Sequence, residues 1–165
     1  MIDIHSKYNL KNLDSKWDNK KIQYDLDVHN WPKKFLAVAR EKFPKITDLT
    51  KIHEDLTVHD LLALRKHLES FTRSAEFCAD LDTFVNELVR GRLQDYKYPE
   101  EYLIQYTAGL RIVIPNQKEK NRLLNFHTGY WTGYDNGTNT IWTPITEAFG
   151  SNTMHVTDWQ TSHNL

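Results

Sequence analysis

The sequence predicts an α+β fold, a helical layer followed by a sheet, and three observations carry that expectation. Of the 43 charged residues, 34 lie in the first hundred positions. Five of the six glycines and ten of the fifteen threonines lie after residue 100, a shift toward turn and β-branched residues. The apolar period changes with them, from three-to-four spacing in the first part to alternation in the second. The chain of 165 residues is therefore read as one domain, 1–165, with helices over 1–98 and a sheet over 99–165.

Residues 1–30 alternate charged and aromatic positions without a period and are read as irregular structure draped over the core. The stretch 31–40 opens with Trp31-Pro32 and predicts a helix with proline in its first turn, ended by Pro44. Thr57-Val58-His59-Asp60 resembles a capping box with Asp in place of Glu, and Leu61, Leu64, Leu68 and Phe71 follow at helical spacing. Phe77, Cys78, Leu81, Phe84, Val85 and Leu88 repeat the pattern up to Gly91. No Gly or Pro separates the last two runs, so one bent helix and two helices remain equally open. Strands are predicted at 103–106, 110–114, 122–127, 138–143 and 153–157, with Asp135-Asn136-Gly137 as a hairpin turn.

Net charge is −1, so no basic excess exists for phosphate neutralisation, and nucleic acid is not an expected partner. No apolar run is long enough to span a membrane and the first residues lack a secretory pattern, which predicts a cytoplasmic protein with no membrane partner. The single cysteine, Cys78, excludes an intrachain disulfide and is assigned to packing on a helix face. Asn136-Gly137-Thr138 is a glycosylation acceptor pattern that a cytoplasmic chain would not use.

The most informative segments are Arg111-Ile112-Val113-Ile114-Pro115-Asn116-Gln117, then His127, then Trp142-Thr143-Pro144-Ile145-Thr146, then Gly150-Ser151-Asn152-Thr153-Met154. In that order they resemble Fe(II)/2-oxoglutarate-dependent oxygenases of the double-stranded β-helix type, in particular the branch of the StrG-like proteins and the oxygenases of sporadic carbohydrate clusters. The resemblance covers residues 100–157 and implies helices packed on a partial jelly-roll, cupin-like sheet. It also implies Fe(II) and 2-oxoglutarate as cofactors, and a small polar metabolite, a sugar or sugar derivative, as substrate.

A ferrous ion that must hold a bidentate 2-oxo acid and O2 leaves room for three protein ligands, two imidazoles and a carboxylate. His127 matches the first. The carboxylate belongs two residues later, on the same strand face, and that position is Gly129. Three readings follow: a two-histidine site whose vacant place takes a halide, as in the halogenase branch; a carboxylate from elsewhere, Asp135 or Glu147; or a binding module that has lost iron. Five strands against the eight or so of a jelly roll, with no distal histidine on a returning strand, lead the chain to be read as C-terminally incomplete. An open sheet edge would then favour a homo-oligomer.

The substrate- and cosubstrate-binding residues so implied are Arg111, Asn116, Gln117, Tyr130, Trp131, Trp142 and Asn152, with His127 and secondarily Asp135 at the metal. Each also has an ordinary structural role. A histidine at a strand end can be satisfied by hydrogen bonds, and asparagines and glutamine stabilise turns. Trp142 can be core, and an arginine in an apolar strand must reach a carboxylate or an anionic ligand to avoid a large desolvation cost. His53, His59 and His67 lie at spacings that do not converge on a metal.

Overall fold

Helix boundaries in this chain follow from side chains that satisfy backbone groups at each end. The computed structural model describes residues 24–88, 103–106, 108–114 and 140–148. Helix α1, Trp31–Lys42, begins at Asn30, whose side chain accepts a hydrogen bond from the Lys33 amide at 3.3 Å. It ends at Phe43, which the following Pro44 biases toward extended backbone. Arg40 then donates from Nε to the Ile46 carbonyl at 2.8 Å and folds the exit back onto the helix. A 3-10 turn, Leu49–Lys51, leads into a single turn α2, Ile52–Asp55, and neither carries a strong sequence signal.

Helix α3, Val58–Phe71, starts with the capping box expected from Thr57 and Asp60. Thr57 Oγ1 accepts from the Asp60 amide at 3.2 Å and Asp60 Oδ2 accepts from the Thr57 amide at 3.2 Å. Helix α4, Ala75–Glu87, is separate from α3. Ser74 decides that question: its Oγ accepts from the Phe77 amide at 3.2 Å, and its extended backbone (φ −68, ψ 152) breaks the helical path.

The core lies between these helices. Trp31, Phe35 and Ala39 of α1 are buried at four-residue spacing, and Leu61, Leu64 and Leu68 of α3 and Phe77, Phe84, Val85 and Leu88 of α4 and its C-terminal end are buried along one helical face each. Helix α1 packs on α3. Aromatic rings join all three: Phe35 meets Phe71 edge-on at 5.5 Å, Phe71 meets Phe77 at 5.4 Å, and Trp31 meets Phe84 at 4.6 Å. Such side chains contribute about 1.5–3 kcal/mol each on burial, which is why three short helices hold together. Cys78 is half-buried, as are Phe71 and Leu81.

The expected sheet is overturned. Among the described residues there is no strand, and 103–106, 110–114 and 140–143, which fall in three of the predicted strands, are irregular chain. Helices packed on a partial double-stranded β-helix therefore do not describe this molecule. Alternation survives locally: Leu110, Ile112 and Ile114 are half-buried while Arg111 and Val113 are exposed. A strand, however, also needs a neighbour for its backbone and a layer for its apolar face. Leu103 is fully exposed and Val113 is 55% exposed, and a Cβ placed on Gly109 would touch nothing. The predicted strands 122–127 and 153–157, the hairpin turn at 135–137 and the stop at Gly91 lie outside the described residues. No described helix is long and apolar enough to cross a membrane.

Candidate functional site

The densest polar arrangement among the described residues is built by a turn, α1 and α4. The chain enters α1 through residues 25–29, where the His29 amide donates to the Asp25 carbonyl at 2.9 Å and the Asp27 amide to Asp25 Oδ1 at 2.8 Å. That turn drives His29 inward until it is 1% exposed, edge-on to Phe84 at 5.4 Å and beside Trp31 at 6.2 Å. Its two ring nitrogens meet two carboxylates of α4: Nδ1 lies 3.0 Å from Asp80 Oδ1 and Nε2 lies 2.7 Å from Glu87 Oε2. The seven-residue spacing of Asp80 and Glu87 is two helical turns, so both project from one flank of the apolar stripe.

Asp80 is the hub. Its Oδ2 accepts from Trp31 Nε1 at 2.6 Å and from Lys34 Nζ at 2.7 Å. Burial alone pushes the Asp80 carboxyl up, but the donors Lys34, Trp31 and His29 outweigh it and hold the group below its ordinary value. For His29, burial pushes the imidazole down, and the hydrogen bonds to Glu87 and Asp80 with their charges reverse this, leaving it raised from 6.5. The arrangement binds a proton and anchors the start of α1 to α4. Sequence reading left residues 24–30 as irregular and missed it. The available signal was Asp80 itself, three residues after Phe77 and four before Phe84, a charge beside an apolar stripe that needs a partner.

A second, open groove lies between α1 and α3, lined in part by Lys34, Glu41, His67 and Glu76. His67 Nε2 donates there to the Val38 carbonyl at 3.1 Å and sits 3.4 Å from Glu41. His53 pairs with Glu54 at 3.9 Å and His59 is exposed. Among the described residues no group of three His, Cys, Asp or Glu side chains could hold a metal ion.

Of the residues singled out from sequence, Arg111 and Trp142 are described. Arg111 is exposed, with no hydrogen bond or ion pair to another described residue, so the burial cost that would force it onto an anion does not arise. Trp142 is 42% exposed and Glu147 is exposed. Asn116, Gln117, His127, Gly129, Tyr130, Trp131, Asp135 and Asn152 lie outside the described residues. No protein-family model matches the chain, and no curated protein or solved structure shows significant similarity to it.

Proposed function

We propose that the chain is an Fe(II)/2-oxoglutarate-dependent oxygenase-like protein that takes a small polar metabolite of the sugar class. The observation that supports this reading is the order of the motifs Arg111 to Gln117, His127, Trp142 to Thr146 and Gly150 to Met154 in the sequence. It stands without the jelly-roll sheet, which the described residues lack. His127 is the one iron ligand the motifs nominate, and iron with 2-oxoglutarate would supply O2 activation for hydroxylation or halogenation. One imidazole followed by Gly129 falls short of a three-ligand set, so no reaction step is assigned to the metal.

The missing carboxylate favours a second reading from another class, a binding or interaction module without iron, in which the aromatic residues Tyr130, Trp131 and Tyr134 offer faces to a sugar. Calorimetric titration of the chain with Fe(II) and 2-oxoglutarate under anaerobic conditions separates the two. The wild-type chain is expected to bind Fe(II) weakly or not at all, and Gly129→Asp to bind it tightly in a way that His127→Ala abolishes. If Gly129→Asp gains no affinity, or if His127→Ala changes nothing, the oxygenase reading fails and the binding-module reading stands.

A further inference from the structure

We propose that His29, Asp80 and Glu87 form a proton-operated clasp: the doubly protonated ring ties the turn at residues 25–29 to the last turn of α4, and loss of one ring proton frees Glu87 and opens that tie. The geometry carries this directly. A carboxylate oxygen only accepts, and a neutral imidazole has a single N–H, so contacts of 3.0 and 2.7 Å to two carboxylates are both hydrogen bonds only when both ring nitrogens carry protons. With the ring 1% exposed, water cannot replace the lost donor.

Which carboxylate leaves is decided by their other partners. Asp80 keeps Trp31 Nε1 and Lys34 Nζ, and its side chain is 13% exposed. The Glu87 side chain is 55% exposed and has water at hand, so it is the one that swings away. The charged and titratable groups facing the ring among the described residues are Asp80 and Glu87 from α4, Lys34 of α1 through Asp80, and, from the turn, Asp25 through its carbonyl and Tyr24 through its ring contact with Phe84. The direction of the His29 shift places release on the alkaline side of 6.5. The stabilisation is complete below 6.5 and is lost as pH rises through the raised value in the folded chain. Asp80, held low, contributes above 3.8 and loses its contribution as pH falls through its depressed value.

NMR titration of the His29 ring nitrogens and backbone amides in the full chain tests the clasp. The wild-type ring is expected to carry two protons at pH 6 and to titrate above 6.5, with Glu87→Gln lowering the midpoint. Protection of the His29 and Trp31 amides, corrected for base-catalysed exchange, should fall across the transition, and the fall should move with the midpoint in Glu87→Gln. A residue with a purely structural role would lose protection equally at every pH. A wild-type midpoint at or below 6.5, or protection that does not change across it, refutes the clasp without recourse to any variant. A midpoint that Glu87→Gln leaves in place does the same.

Discussion

Residues 31–88 and the described stretches of 103–148 differ in what their backbone depends on. In the first region each helix closes its backbone hydrogen-bond ladder within itself and meets its neighbours mainly through side chains, so Asn30, Thr57 and Ser74 can set boundaries within three residues of sequence. In the second, Leu110 to Ile114 keep an alternating exposure but have no strand beside them among the described residues. A β-branched, alternating stretch states which face it would bury and leaves open whether anything covers it. The Tyr106 hydroxyl, donating to Asp82 Oδ1 at 3.0 Å, is a side-chain tie from this region to α4.

That contrast can be broken or sharpened by mutation, and the largest effect is expected in the helical layer. Leu64 is fully buried, and Leu64→Ala should cost about 2–5 kcal/mol in chemical denaturation, the range for a truncated core leucine. A cost below about 1 kcal/mol would mean that the helical layer is not the chain's core. Next, Thr57→Ala should cost about 1 kcal/mol by removing the capping box, while leaving the slope of the denaturation curve unchanged. Smallest of all, Leu103→Ser should fall within about 0.5 kcal/mol of wild type because the side chain is fully exposed. If Leu103→Ser instead approached Leu64→Ala, the second region would have to be packed, and the contrast drawn between the two regions would fail.

The helical layer was legible because its signals are local. Pro32 and Pro44 bracket α1, Thr57 and Asp60 announce α3, and apolar residues at three-to-four spacing name the buried faces of α3 and α4. The division at Ser74 was not read from the sequence: no glycine or proline stands there, so one bent helix and two were left open, and the capping serine decided it in the structure. The sheet was misread because threonine and glycine content reports a preference for pleated or turning backbone, and pairing is a property of two segments. Arg111 shows the same limit: inside a paired sheet it would need an anion, and on exposed chain it needs only water.

By itself the sequence determined where α1 runs, where α3 begins and which faces of α3 and α4 are apolar, because caps and periodicity act over three or four residues, and it left open whether α3 and α4 are one helix or two. It also carries the order of motifs on which the oxygenase reading rests. Only the tertiary structure decided that His29, 51 residues before Asp80 and 58 before Glu87, would meet both carboxylates with Trp31 and Lys34 around them. No local rule encodes that meeting. It follows from α1 and α4 sharing an aromatic core, which brings a buried imidazole against Asp80, a largely buried charge that needs a partner, and against the more exposed Glu87.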